Sequence, residues 1–115
     1  SEATSEKIKG YLYSTVSEGG TGKYAKVNGY SMGGKTGTAQ NHGQDHSIFM
    51  GFAPMNNPKI AVAVYVENGG YGADFGVPIG SLIIEQYMNG KLSPESEKRA
   101  THFQNSRIAY GTRSR

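Results

Sequence analysis

The sequence predicts an α+β domain in which a small antiparallel sheet of three strands is packed against helices. Apolar residues recur at helical spacing in two segments, at about residues 5–18 and 74–88. Between them, three segments at about residues 30–40, 46–53 and 59–66 have the composition and alternation of strands. Because the strands follow one another along the chain, we expect a meander between the two helices.

The first helix is predicted by a stripe of residues at the spacing i, i+3, i+4, i+7, i+8. They are Ile8, Tyr11, Leu12, Thr15 and Val16. Thr4 or Ser5 can serve as the N-cap, because either hydroxyl can accept a hydrogen bond from the first turn. Glycines at positions 19, 20 and 22 end the helix and open a loop that runs to Lys26.

The first two strands form a predicted hairpin. Residues 30–40 are rich in glycine and threonine, which favour a helix poorly, and a polar turn follows them. The returning strand, residues 46–53, places Ile48, Met50 and Phe52 on one face. We therefore expect the two strands to pair in antiparallel orientation.

The third strand, residues 59–66, follows a turn that contains two prolines. One face of it carries the β-branched residues Ile60, Val62, Val64 and Val66. The other face carries Ala61, Ala63 and Tyr65. Since both faces are apolar, we expect both to be covered and the strand to lie inside a sheet.

The second helix, residues 74–88, is predicted by another apolar stripe and ends at Gly90. The residues at this helical spacing are Phe75, Ile79, Leu82, Ile83, Gln86 and Tyr87, all apolar or aromatic except Gln86. Pro78 is tolerated because it lies in or near the first turn, where its missing N–H is not needed. Beyond Gly90 no periodicity holds. We therefore assign residues 1–90 to the domain and expect residues 91–115 to form a basic polar tail, ordered only where it docks.

Composition excludes several classes of protein. The chain has no cysteine, which rules out a disulfide scaffold, a thiolate metal site and a cysteine nucleophile. The formal net charge is only +3, and it arises in residues 91–115, so we do not expect a nucleic-acid site. The longest apolar run, residues 60–66, is too short to cross a bilayer, and we expect the chain as given to be soluble. Because it opens at Ser1 directly in a helical pattern, we expect a fragment of a longer protein.

Residues 29–36 match the spacing G-x-x-x-x-G-K-T of the phosphate-binding loop of nucleotide triphosphatases. Such a loop needs a buried strand before it and a helix that starts at the lysine and threonine, so that helical N–H groups point at the phosphates. Residues 23–28 are not an apolar strand, and residues 36–43 are too rich in glycine and threonine to start a helix. We therefore reject a P-loop NTPase.

The same stretch contains Lys35-Thr36-Gly37, followed by Thr38, on a predicted strand. A Lys-Thr-Gly tripeptide alone is weak evidence of function, but the segments 30–40, 49–54, 57–64 and 67–70 occur here in one continuous order. Together they make about residues 5–90 resemble the C-terminal part of a class B penicillin-binding protein transpeptidase domain. The resemblance is strongest to the elongation type, penicillin-binding protein 2.

The resemblance implies roles for four residues. Lys35 would join the hydrogen-bond and charge network around a nucleophilic serine, and the backbone N–H of Thr38 would be one oxyanion-hole donor. Thr36 and Thr38 would bind the terminal carboxylate of a D-Ala-D-Ala stem peptide or of a β-lactam. Gly37 would let a substrate backbone pair closely with the strand. The alternative is that all four are ordinary residues of an exposed strand.

Two other motifs of that family are missing from the chain, since no serine begins Ser-x-x-Lys and no Ser-x-Asn occurs. An acyl-enzyme mechanism needs a nucleophile with a base in reach, so we expect the chain alone to be inactive. The resemblance implies that the parent is a serine-type D,D-transpeptidase that cross-links peptidoglycan. The alternative is a non-catalytic binding or scaffolding module with a degenerate transpeptidase-like sheet. The presence of both motifs upstream of Ser1 would indicate an enzyme, and their absence would indicate a binding module.

His42, Asp45 and His46 lie in one polar turn and could be imagined as metal ligands, but a hairpin turn explains them as well. No metal or cofactor is therefore predicted. The implied partners are the stem peptide, β-lactam antibiotics, a membrane glycosyltransferase of the elongation machinery and the N-terminal part of the domain, a strand of which would pair with residues 60–66. The resemblance places a membrane-anchored parent on the periplasmic side of the bacterial inner membrane.

Overall fold

The structure, a computed structural model, describes residues 1–17 and 29–108. In chain order its elements are α1 (Glu2–Val16), β1 (Gly33–Ala39), β2 (His46–Ala53), β3 (Ile60–Val66), α2 (Gly76–Asn89) and α3 (Pro94–Asn105). The strands form one antiparallel sheet in the order β1-β2-β3. The α+β class and the meander are thereby confirmed, with element ends displaced by at most three residues. The loop expected over residues 19–26 lies outside the described residues.

The hydrophobic core lies between one face of the sheet and α2. Phe49 stands at its centre, in register with Thr36 on β1 and Val64 on β3. Phe49 is fully buried, and its neighbours in the core include Val77 and Ile84 of α2. Because α2 crosses both β2 and β3, it joins the last two strands to the C-terminal half of the chain.

The opposite face of the sheet is largely open within the described residues. Met50 and Tyr65 on this face are 56% and 60% exposed, and Ala61 and Ala63 are exposed beside them. The expectation that both faces of β3 are covered is therefore wrong for this part of the chain, where β3 is an edge strand. The reason is that α2 covers only one face, whereas α1 packs mainly against β1.

A third helix follows where no regular element was predicted. α3 begins after Ser93, whose hydroxyl accepts a hydrogen bond from the N–H of Ser96. Phe103 of α3 meets Phe75 edge-on, with ring centroids 5.6 Å apart. α3 has no continuous apolar stripe, and separate contacts such as that between Phe103 and Phe75 join it to the rest of the molecule. Apolar periodicity therefore did not predict this helix. The division of the chain at residue 90 stays a prediction.

The principal polar contact of α3 is made by Glu85, a buried carboxylate on α2. Its Oε1 accepts a hydrogen bond from the N–H of Ser93 at 3.1 Å. Burial raises the pKa of Glu85, but hydrogen bonds from Ser96 and Ser93 and the charge of Arg99 together lower it more. The pKa of Glu85 therefore lies below its ordinary value, and the folded state favours the ionised carboxylate.

We expect the docking of α3 on α2 to weaken in acid. Because the pKa of Glu85 is lowered in the folded state, its stabilisation of α3 is complete above the ordinary glutamate pKa, about 4.3. That stabilisation is lost as the pH falls through the folded value. NMR chemical shifts of the α3 amides should therefore follow a titration with a midpoint below about 4.3.

Two variants distinguish the effect of the Glu85 carboxylate from that of a neighbouring carboxylate. Glu85→Gln should remove the titration and should weaken docking of α3 by about 1 kcal/mol already at neutral pH, because a neutral amide accepts a weaker hydrogen bond than a carboxylate does. Glu95→Gln, which alters an exposed carboxylate in the first turn of α3, should leave the titration in place. Glu85 is not the source of the titration if the α3 amides follow the same curve in Glu85→Gln as in the wild type.

Candidate active site

The Lys-Thr-Gly segment lies on β1, at one edge of the sheet. On its inner side β1 pairs with β2, where Lys35 is opposite Met50 and Thr38 is opposite Ser47. Within residues 1–17 and 29–108, no strand pairs with the outer side of β1. An extended peptide could therefore add to this edge through main-chain hydrogen bonds.

The predicted site residues lie in sequence along this edge and alternate between the two faces of the sheet. Thr36 and Thr38 lie on the face that packs against α2, and Lys35 and Gly37 lie on the opposite, more open face. Lys35 is exposed, and its ammonium group donates a hydrogen bond to the carbonyl oxygen of Thr36 at 2.7 Å. The structure thus brings the four residues together along one strand edge rather than inside a closed pocket.

Thr38 is also joined to the loop between β3 and α2, residues 67–75. The N–H of Gly72 donates to Thr38 Oγ1, with 3.2 Å between the two heavy atoms. Because the oxygen acts as an acceptor here, the hydroxyl proton remains able to donate to a ligand. A Cβ atom at Gly72 would lie 2.6 Å from the carbonyl oxygen of Gly37 and 2.7 Å from that of Ile48. Loop and strand are therefore in direct backbone contact.

Ser47 holds this loop against the sheet. It is fully buried on β2, beside Thr38. Its hydroxyl donates to the carbonyl oxygen of Tyr71 at 2.7 Å and accepts from the N–H of Gly76 at 2.9 Å. Ser47 was not among the site residues predicted from the sequence. One feature of the sequence could have pointed to it. Alternation along β2 places the Ser47 hydroxyl on the same face as Phe49.

A second set of hydrogen bonds fixes the turn between β1 and β2. Asn41 Nδ2 donates to Asn68 Oδ1 at 2.7 Å, and the N–H of Asn68 donates to His46 Nδ1 at 3.0 Å. The carbonyl oxygen of Asp45 accepts a loop N–H at 2.7 Å, whereas His42 is exposed. The described residues contain no group of three histidine, aspartate or glutamate side chains that could hold a metal ion. His46 and Asp45 instead connect the turn to the loop after β3.

A family model described as the penicillin-binding protein transpeptidase domain matches residues 1–85. The chain belongs to the penicillin-binding protein transpeptidase family. It is 41% identical over 99 residues to stage V sporulation protein D of Bacillus subtilis, and 33% identical over 112 residues to the peptidoglycan D,D-transpeptidase MrdA of Haemophilus influenzae. These alignments cover 80% and 81% of the chain, but 15% and 17% of the relatives, so the chain spans less than a fifth of their length.

Solved penicillin-binding proteins share this fold. Pseudomonas aeruginosa PBP2, in complex with WCK 5153, superposes with a TM-score of 0.63 at 36% identity, over 78% of this chain and 21% of its own. Penicillin-binding protein A from M. tuberculosis, as a penicillin G acyl-enzyme complex, superposes with a TM-score of 0.59 at 33% identity. That superposition covers 72% of this chain and 20% of the other. The resemblance to PBP2-type enzymes is thereby confirmed. The roles of Lys35, Thr36, Gly37 and Thr38 remain predictions.

We expect Gly72→Ala to separate the loop from β1. The added methyl group would overlap two backbone carbonyl oxygens, which can move away only if the strand or the loop shifts. The hydrogen bond between Gly72 and Thr38 should then break, and the free energy of unfolding should fall by about 1–3 kcal/mol. Denaturant unfolding and hydrogen exchange of the residue 72 amide measure these two effects.

Gly10→Ala is the matched control, because Gly10 lies within α1 and a Cβ atom there would meet nothing within 4 Å. Alanine in place of a helical glycine should raise stability by about 1 kcal/mol. The account of the loop contact is wrong if Gly72→Ala is as stable as the wild type and keeps a protected amide.

Proposed function

We propose that this chain is the C-terminal part of a peptidoglycan D,D-transpeptidase domain and supplies its substrate-binding strand. The observation that carries the proposal is the position of Lys35-Thr36-Gly37-Thr38 on an edge strand whose outer side is unpaired in the described residues. Membership of the transpeptidase family supports it, as does a relative that bears the name peptidoglycan D,D-transpeptidase.

In the proposed reaction, a stem peptide that ends in D-Ala-D-Ala lies along β1 and pairs with its main chain. A serine outside this chain attacks the carbonyl carbon between the two alanines, and D-alanine leaves as the acyl-enzyme forms. The amine of a neighbouring stem peptide then attacks the acyl-enzyme, which releases the serine and completes the cross-link.

The contribution of this chain is binding and electrostatic stabilisation. The N–H of Thr38 donates to the oxyanion that develops on the attacked carbonyl, and the ammonium group of Lys35 acts in the charge network around the serine. The hydroxyls of Thr36 and Thr38 bind the terminal carboxylate of the peptide. A β-lactam carries a carboxylate and a reactive carbonyl, so it would occupy the same strand and acylate the serine.

The rest of the domain would cover the surfaces that are open here. A groove of about 380 Å³ lies between α1 and the sheet, with Leu12, Met50 and Phe52 among its lining residues. Beside it, the outer edge of β3 lacks a strand partner within the described residues. A strand from the N-terminal part of the domain would pair with this edge and bury the apolar face next to it.

The proposed place of action is the periplasmic side of the bacterial inner membrane, where a membrane glycosyltransferase of the elongation machinery would be the partner of the whole protein. No helix among the described residues has the length and apolar character needed to cross a membrane.

We expect Lys35→Ala in the full-length protein to reduce the second-order rate constant of acylation by penicillin about a hundredfold. Removing one charged or oxyanion-type contact from a reacting group typically raises the barrier by about 3 kcal/mol. The rate is measured with a fluorescent penicillin as the appearance of a labelled band on a denaturing gel.

Lys59→Ala is the matched control, because Lys59 is an exposed lysine just before β3 and should leave the rate unchanged. The 115-residue chain alone should take no label, since it contains no Ser-x-x-Lys. A rate for Lys35→Ala within about a factor of two of the wild type would refute the assignment of Lys35. A folded full-length protein that is never acylated would favour the non-catalytic binding module.

We expect the isolated chain to self-associate through β3, or to fold stably only beside the rest of its domain. An edge strand with unpaired N–H and C=O groups and an exposed apolar face is a template for pairing with another chain. On β3 that face carries Ala63 and Tyr65, both exposed. Light scattering over a range of concentrations measures the association.

Ala63→Lys should reduce self-association, because a charge beside an edge strand opposes pairing. Thr101→Lys, on the exposed side of α3, should leave it unchanged. A folded wild-type monomer at high concentration, with slow amide exchange along Ile60–Val66, would count against this prediction.

A further inference from the structure

We infer that Ser47 is a positioning residue that sets the direction in which the Thr38 hydroxyl donates its proton. The inference rests on the proposed function, because it concerns how Thr38 would recognise a carboxylate. Ser47 is fully buried on the central strand of the sheet, so its effect on a ligand must pass through its neighbours.

The connection between the two side chains is a single peptide unit. Ser47 Oγ donates to the carbonyl oxygen of Tyr71, and the N–H of Gly72 donates to Thr38 Oγ1. That carbonyl and that N–H belong to the same peptide bond, which is trans and planar. A rotation of this plane would break both hydrogen bonds, so the bond at Ser47 restrains the bond at Thr38.

Ser47 also fixes the far end of the loop. Phe75, the N-cap residue of α2, makes no side-chain hydrogen bond to the helix. Instead, Ser47 Oγ accepts the N–H of Gly76, the first residue of α2, at 2.9 Å. The loop is therefore held on both sides of Gly72 by one buried hydroxyl. The carbonyl oxygen of Tyr71 also accepts the N–H of Asp74 at 2.9 Å, so Ser47 adds to the restraint on this peptide plane and is not its only source.

The hydrogen bond from the N–H of Gly72 determines which kind of ligand group the Thr38 hydroxyl can bind. Its oxygen accepts the loop N–H, and its proton remains able to donate to a group that only accepts, such as a carboxylate. A hydroxyl that accepts one hydrogen bond also donates a stronger one, because the two bonds polarise each other. Loss of the loop contact should therefore weaken the preference for ligands that carry a carboxylate.

The test compares acylation of the full-length protein by a penicillin and by the methyl ester of the same penicillin, which lacks the negative charge. We expect Ser47→Ala to lower the ratio of the acid rate to the ester rate about tenfold, the size of one hydrogen bond to a charged group. A merely structural role would lower both rates by one factor, through the folded fraction, and would leave the ratio unchanged.

Ser81→Ala is the matched control, because Ser81 is also fully buried but its hydroxyl has no hydrogen-bond partner among the described residues. We expect it to leave the ratio unchanged. In a Thr38→Val background, Ser47→Ala should lower the ratio no further, because the hydroxyl on which it acts is gone. If Ser47→Ala does not fold, Ser47→Cys, which keeps a weak donor and acceptor, should give an intermediate ratio.

Hydrogen exchange gives a readout that does not depend on activity. The amides of Gly72 and Gly76 should exchange about tenfold faster in Ser47→Ala and at the wild-type rate in Ser81→Ala. An unchanged acid-to-ester ratio in a folded, labelled Ser47 variant overturns the positioning role alone, as does a further fall in the Thr38→Val background. A folded wild-type protein labelled by neither form overturns the proposed function, and the inference with it.

Discussion

The peptide unit between Tyr71 and Gly72, held by Ser47 and Thr38, fixes where the loop after β3 meets the sheet. α2 begins where Ser47 accepts its first N–H, and the residues that α2 buries then pack around Phe49. The position of the core helix and the environment of the Lys-Thr-Gly strand therefore depend on the same contact. It requires a glycine at position 72, because a side chain there would meet the strand backbone.

Local patterns were sufficient to predict the sheet and the Lys-Thr-Gly strand, because composition and alternation report both directly. They did not reveal which face of β2 is buried, since alternation with a period of two looks the same from either face. Ile48, Met50 and Phe52 lie on the open face, and Phe49 lies in the core. The burial of β3 was overestimated for a different reason, because an apolar face is buried only where another element covers it.

The features that sequence reasoning missed depend on polar contacts between residues far apart in the chain. The two hydrogen-bond partners of the Ser47 hydroxyl lie 24 and 29 residues away from it along the chain, so no local spacing predicts them. The anchor of α3 is likewise a carboxylate of another helix, Glu85. Serine and glutamate are common at exposed positions, so only their burial in the folded molecule shows what they hold in place.

In the proposed reaction β1 holds the ligand of a transpeptidase, and Thr38 donates to two groups of that ligand. A crystal structure of the full-length protein acylated by penicillin G tests it most directly. We expect the ligand carboxylate to lie about 3 Å from the hydroxyls of Thr36 and Thr38, and the acyl carbonyl oxygen to accept the N–H of Thr38. A ligand bound away from β1, with its carboxylate and carbonyl on other residues, would contradict it.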